Sequence, residues 1–308
     1  MNKRQKQGLA NCVGDTINWD CSLSAATSFG IGGRAAALVV VVHAEELQQL
    51  LRYCESEKMH WRVIGGGTNL LVSDQGYDGV VIRLAGVFKS VAVKQDHEEG
   101  WMRVEVGAGY GLSRLADWCG DHGMSGLEFA AGIPGTLGGA VIMNAGAWGS
   151  EIGDVLHQVE LVGCSGMKRL KREQLHFGYR CWQEFGTIRT RQVVTGATFR
   201  LRQEEGETIK ARVREYRKKR KETQPHGQGS CGSFFKNPGS ESAGRLIEQC
   251  GLKGTKIGGA MVSEKHANFF LNTGEATATD MIRLMEMVQK RVEEQLGIRL
   301  EPEVHFLS

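Results

Sequence analysis

Residues Ala35 to Val42 form an unbroken apolar run, AAALVVVV, the length of a buried strand and far short of a membrane span. Ala44 to Lys58 follows with Leu47, Leu50, Leu51 and Cys54 at helical spacing, and Arg62 to Ile64 leads into Gly65-Gly66-Gly67. Strand, helix, strand predicts an α/β unit. From Val80 to Leu201 the pattern changes. Val80–Leu84, Ser90–Val93, Met102–Val106, Val155–Val162 and Val193–Leu201 are β-type runs between glycine or charged turns, with one helix at Leu112–His122. Glu207 to Gln224 is charged and helix-like, and Pro225-His-Gly-Gln-Gly breaks it. Beyond lie a helix near Ser242–Cys250, a strand at Asn268–Leu271 and a helix at Ala278–Leu296. The stripe Met281, Leu284, Met285, Val288, Val292 and Leu296 on that last helix predicts core packing. Residues 1–20 are polar without a clear period and read as a loose or docked arm. The pattern as a whole predicts an α+β protein in three parts, 1–80, 81–206 and 207–308.

Composition narrows the function. Glycine is in excess, 42 of 308 residues against a usual ~7%, and there are only 4 prolines. With 41% hydrophobic residues and no Gly-X-Y period, collagen and low-complexity disorder are excluded. What remains is a folded chain whose backbone turns tightly or approaches something closely. The net charge of +3 gives no field that demands nucleic acid or membrane as a partner, and no obligate protein partner is evident. The eight cysteines lack C-x-x-C or zinc-like spacing, so no metal site is expected. With no secretory leader evident, they read as reduced thiols of a cytoplasmic protein.

Three glycine clusters stand out: 65–71, 107–111 and 132–140. Successive backbone N–H groups without Cβ can form an anion nest suited to pyrophosphate. The middle cluster follows a strand and opens a helix, but Leu112 stands where a dinucleotide-binding G-x-G-x-x-G requires glycine or alanine, so it reads as a turn. No Walker P-loop occurs. The first and third clusters each add a hydroxyl and an amide, Thr68 and Asn69 in one and Thr136 and Asn144 in the other. Each is either a sharp turn or half of a clamp on an extended dinucleotide.

GGGTNLLVSD (65–74), AGIPGTLGGAVIMNAGA (131–147), FGYR (177–180), GSCGSFFKNP (229–238) and LEPEVHF (300–306) occur in this order. In that order they resemble the UDP-N-acetylenolpyruvoylglucosamine reductase (MurB) family of peptidoglycan synthesis, from about Thr27 to Phe306. The run onward from Tyr179-Arg180 and the short tail after Glu303 are similar to its compact second type. The resemblance implies a two-subdomain FAD-binding fold of the vanillyl-alcohol oxidase (PCMH) type in 1–80 and 81–206, plus a C-terminal α/β substrate-binding domain in 207–308. It implies bound FAD with its pyrophosphate against Gly65, Gly66, Gly67, Thr68, Asn69 and Leu70 on one side. On the other would lie Gly132, Pro134, Gly135, Thr136, Gly138, Gly139, Ala140 and Asn144. NADPH would be the hydride donor and a UDP-sugar enolpyruvyl ether the substrate.

In such a reaction the protein must stabilise negative charge beside the substrate carboxylate and then deliver a proton. The resemblance assigns Ser233 as proton donor, Arg180 as the cation that stabilises the enolate, and Glu303 as a glutamate that orients substrate or shares the proton. Tyr179 and Asn237 would be substrate contacts. Glu301 competes with Glu303, and Cys231 is a tempting nucleophile with no base marked beside it. The family often reads Y-R-x-S, whereas this chain has Tyr179-Arg180-Cys181-Trp182, so packing behind Arg180 should differ. The basic run 217–221 reads as a solvated helix face. Two other functions compete: a flavin oxidase on the same cofactor fold, and a non-catalytic nucleotide-binding module that would not need the Arg, Ser and Glu set.

Overall fold

The apolar run at 35–42 forms the strand Arg34–Val41, with Ala35, Ala37, Val39 and Val41 on its buried face. The helix Ala44–Ser56 places Leu47, Leu50, Leu51 and Cys54 in one core with Val39, Val41, Val80 and Ile82. The strand Trp61–Val63 pairs parallel with Tyr77–Leu84, with Trp61 opposite Val80, which completes the strand–helix–strand unit. The sheet runs Ile17–Ser22, Arg34–Val41, Tyr77–Leu84, Trp61–Val63.

The computed structural model describes residues 1–188, 192–227 and 229–308, and its chain divides into two units. The first comprises Met1–Trp19, Ala37–Gly65 and Gly79–Lys218; the second comprises Asp20–Ala36, Gly66–Asp78 and Lys219–Ser308. This differs from the division at 80 and 206 read from the sequence. Both expected FAD-binding parts fall largely in the first unit, and two short N-terminal segments join the C-terminal part. Gln228, within the expected break at 225–229, lies outside the described residues.

The β-rich region of the first unit is a largely antiparallel sheet in the order Gly166–Lys171, Leu156–Gly163, Gln192–Gln203, Trp101–Gly107, Val91–Gln95. The helix Leu112–Asp121 adds Leu112, Leu115, Ala116 and Cys119 to its core. The N-terminal arm, expected to be loose or docked, is docked through a helix. Lys3–Val13 is a helix with a capping box between Asn2 and Gln5, burying Leu9 and Val13. Gly8 lies against the ring of Tyr53, where any Cβ would overlap it.

In the second unit, Lys256–Ile257, Ala260–Val262 and Phe270–Asn272 form an antiparallel sheet. The helix Ala278–Leu296 buries Met281, Leu284, Val288 and Val292 completely, so the methionine stripe is core. The segment 66–78 is tied in at two places. Leu70–Val72 pairs parallel with His305–Leu307. Asp74 accepts from the amides of Ala278 and Thr279 at 2.7 and 2.9 Å and from the Thr279 hydroxyl at 2.7 Å.

Partial desolvation works to raise the Asp74 carboxyl, but these hydrogen bonds outweigh it and hold it below the usual carboxylate range. A lowered folded value means that the stabilisation is complete above the unfolded value of about 4 and is lost as pH falls through the folded one. Asp74→Ala is expected to cost about 1 kcal/mol at neutral pH, the size of a lost helix cap at an exposed site. Thermal unfolding of the two proteins across pH checks this: the gap in Tm should close in acid, and a gap independent of pH would refute it.

Candidate active site

The glycine turn at 107–111 is closed on itself. The amides of Gly107, Ala108 and Gly109 donate to Ser90, Thr195 and Phe88 carbonyls at 3.0, 2.9 and 2.8 Å, leaving them no part in an anion nest. Its carbonyls in turn hold the third cluster, because the amides of Leu137 and Gly138 donate to Tyr110 and Ala108 at 2.9 and 2.8 Å.

The stretch 132–140 therefore has an inner and an outer side. Leu137, Gly138 and Ala140 are buried, with a Cβ on Gly138 only 3.0 Å from that of Ala108. Pro134 and Gly139 are exposed. Thr136 occupies the N-cap of Leu137–Ile142, yet its hydroxyl makes no capping bond and lies where a Cβ on Gly65 would be. Gly65, the first residue of the first glycine cluster, is thus packed against Thr136 of the third.

Gly132 donates to the Ser113 hydroxyl at 2.9 Å, and Arg217 donates to the same oxygen at 3.1 Å and to Asp117 at 2.6 Å. The first residue of the basic run is thus a brace behind the loop, a departure from the solvated face expected of it.

In the second unit Gly67 adopts φ +62° beside the Ala26 carbonyl, which any Cβ would overlap, and its own carbonyl accepts from Ser28 at 2.9 Å. Gly66 is exposed. Asn69 faces the C-terminal segment: its Nδ2 donates to the Glu303 carbonyl at 3.1 Å, and its carbonyl accepts from His305 at 3.2 Å. Leu70 opens the strand paired with His305–Leu307.

Ser233 and Glu303 come from neighbouring segments. Ser233 forms a bridge with Phe269, and Phe235 forms one with Pro302. Glu303 donates its amide to the Phe234 carbonyl at 2.8 Å. Phe234 and Phe235 anchor the segment among Phe29 and Phe270, the Phe234 and Phe270 rings stacking at 4.2 Å. Both Ser233 and Glu303 are half-buried.

Three neighbours of this pair are now placed. Glu301 is exposed and pairs with Lys236 at 3.7 Å, which separates it from Glu303. Burial, with the charge of Glu303 adding to it, pushes the Cys231 thiol well up, so it stays protonated and is no nucleophile. Asn237 is exposed, and its Oδ1 accepts from the Ala243 amide at 3.0 Å. Asn268 lies in no motif of the sequence. It is 2% exposed, accepts from Phe235 N at 2.9 Å and donates to Phe235 O at 2.8 Å, so it pins the backbone two residues beyond Ser233.

In the first unit Tyr179 and Arg180 form the two-residue tip of a hairpin in which Phe177 pairs with Trp182 and Gly178 with Cys181. The Arg180 guanidinium lies 5.1 Å from the centre of the Tyr179 ring. Trp182 fills the space behind the tip, 2% exposed, against Phe177 at 6.1 Å and Phe185 at 5.7 Å. Its Nε1 has no hydrogen-bond partner among the described residues. A small hydroxyl residue at 182 would leave this core unfilled.

Asn144, expected at the cofactor, is fully buried with both ends of its amide engaged: Gly153 N donates to its Oδ1 at 2.9 Å and its Nδ2 donates to Gly178 O at 3.2 Å. It presents no surface to a ligand.

The model of the UDP-N-acetylenolpyruvoylglucosamine reductase C-terminal domain matches residues 224–307, and that of an FAD binding domain matches residues 35–169. The chain is similar, at 41% identity over 313 residues, to a UDP-N-acetylenolpyruvoylglucosamine reductase of Desulfosudis oleivorans, covering 100% of each chain. It is 42% identical over 279 residues to UDP-N-acetylenolpyruvoylglucosamine reductase 2 of Symbiobacterium thermophilum, covering 90% of this chain and 88% of the relative. The crystal structure of UDP-N-acetylenolpyruvylglucosamine reductase (MurB) from Thermus caldophilus superposes with a TM-score of 0.78 at 38% identity, over 94% of this chain and 98% of that one.

Proposed function

Since the chain belongs to the UDP-N-acetylenolpyruvoylglucosamine reductase family, we propose that Arg180, Ser233 and Glu303 are its catalytic residues. The protein is a flavin enzyme that uses NADPH to reduce the enolpyruvyl ether of UDP-N-acetylglucosamine enolpyruvate to UDP-N-acetylmuramate in peptidoglycan precursor synthesis. FAD, when bound, relays reducing equivalents from NADPH to the substrate. We propose the cytoplasm as its compartment, because NADPH and UDP-sugars are supplied there.

The loops suit a pyrophosphate. Gly65 has no Cβ because the Thr136 hydroxyl lies there, and that hydroxyl does not cap its own helix. Thr136 and the exposed Gly139 in the first unit, and Thr68 and the exposed Gly66 in the second, are the groups we assign to the cofactor. Gly138, Ala140 and Asn69 hold the loops from behind.

The observation that carries the catalytic assignment is that the backbone segments bearing Ser233 and Glu303 run side by side, with Glu303 N donating to Phe234 O at 2.8 Å. Reduction leaves negative charge at the carbon bearing the substrate carboxylate. Arg180 stabilises that charge as a fixed planar cation, Ser233 gives its proton to the carbon, and Glu303 orients the substrate or shares the proton with Ser233. Tyr179, exposed beside Arg180, and Asn237 complete the substrate contacts.

The test is NADPH oxidation by purified protein. Flavin absorbance and NADPH consumption matched mole for mole to UDP-N-acetylglucosamine enolpyruvate are expected. Flavin-free folded protein, or NADPH oxidation indifferent to that substrate, would defeat the reading.

A further inference from the structure

The tip that carries Arg180 is held in a conformation its own residues disfavour. Arg180 adopts φ +57°, in the left-handed region, where a residue with a Cβ pays roughly 1–2 kcal/mol. Such a turn persists only where its surroundings over-determine it. Two grips do so, and both meet at Gly153.

Asn144 supplies the first. It follows the helix Leu137–Ile142 at φ +44°, a conformation asparagine tolerates better than other residues with a Cβ. Its Oδ1 accepts from Gly153 N and its Nδ2 donates to the carbonyl of Gly178, the residue that opens the turn. Since one end faces an N–H and the other a C=O, the amide fits in one orientation only.

Arg172 supplies the second. Its Nε donates to Gly153 O at 2.9 Å, its Nη1 donates to Leu175 O at 2.8 Å, and its guanidinium lies 5.2 Å from the centre of the Phe177 ring. Glycine is needed at 153 for the approach: a Cβ there would sit 3.2 Å from Asn144 Oδ1 and 3.4 Å from Phe177.

We propose that Asn144 is a positioning residue for Arg180: its buried amide fixes the Gly178 carbonyl and so sets where the Arg180 guanidinium is presented to substrate. The proposal rests on the reading of Arg180 given above. It predicts an effect confined to one half of the reaction, because misplacing a charged group by about 1 Å can cost about a hundredfold in rate.

The experiment uses Asn144→Gly, which keeps the left-handed backbone and removes the amide, in the FAD-loaded enzyme. Reduction of the flavin by NADPH is expected within about twofold of wild type, whereas its reoxidation by UDP-N-acetylglucosamine enolpyruvate should slow by about tenfold to a hundredfold. Gly153→Ala, which crowds the same amide with Asn144 intact, should slow the same half-reaction to a smaller extent, and it carries the test if Asn144→Gly fails to fold. In an Arg180→Ala background, Asn144→Gly should add little further loss.

Equal slowing of both half-reactions, or a full multiplicative loss on top of Arg180→Ala, would overturn the proposal. If Arg180→Ala alone reoxidised at the wild-type rate, the assignment of Arg180 would fall and this proposal with it, by a result distinct from the other two.

Discussion

Ser233→Ala is expected to bind FAD and to be reduced by NADPH at close to the wild-type rate, yet to reoxidise with enolpyruvyl substrate about 10²–10⁴-fold more slowly, the usual worth of a positioned general acid. A serine hydroxyl is a weak acid. In the proposed role that weakness is offset because the acceptor is a carbon bearing negative charge, a strong base.

Removing one hydroxyl at a half-buried position leaves Phe234 stacked on Phe270 and Asn268 on the Phe235 backbone. Thermal stability should therefore stay within about 0.5 kcal/mol of wild type. Stopped-flow records of flavin absorbance separate the two halves. Reoxidation at the wild-type rate would remove Ser233 as the donor, and loss of both halves together would mark it as a structural residue.

The residues that this experiment addresses stand in motifs of the sequence, while most of what holds them does not. Motifs name side chains by their place in a short local pattern. Arg180, Ser233 and Glu303 stand in such motifs, and the strand–helix–strand unit and the methionine stripe follow from periodicity. The supports are side-chain to backbone bonds across long separations. Asn69 reaches Glu303 over 234 positions, Asp74 reaches Ala278 over 204, and Asn272 reaches the Phe29 carbonyl over 243. No local pattern encodes such pairs, which is why the segments 20–36 and 66–78 were grouped with their sequence neighbours.

The N-terminal helix is faint in the sequence for a different reason. Its Asn2 and Gln5 capping box was present to be read, but only Leu9 and Val13 mark its apolar face. Asn144 was read as a cofactor ligand because amides beside glycines suit phosphate. Only its complete burial, with Gly153 and Gly178 at its two ends, separates that role from a structural one.

Arg180→Gly should divide stability from catalysis. At φ +57° glycine escapes the steric penalty that arginine bears, so the variant is expected to melt no lower than wild type despite losing the contact with the Tyr179 ring. Substrate-dependent reoxidation should nevertheless fall about 10²–10³-fold, the cost of removing one preorganised charge-stabilising group. Arg180→Lys, with the same backbone conformation and the same charge, should recover only part of that loss, because an ammonium group lacks the planar fork that meets a carboxylate in two places. NADPH should reduce the flavin of all three proteins alike. A glycine variant both less stable and fully active would make Arg180 a turn residue. One that is stable and slow in a single half-reaction would show a strained position kept for the charge it carries.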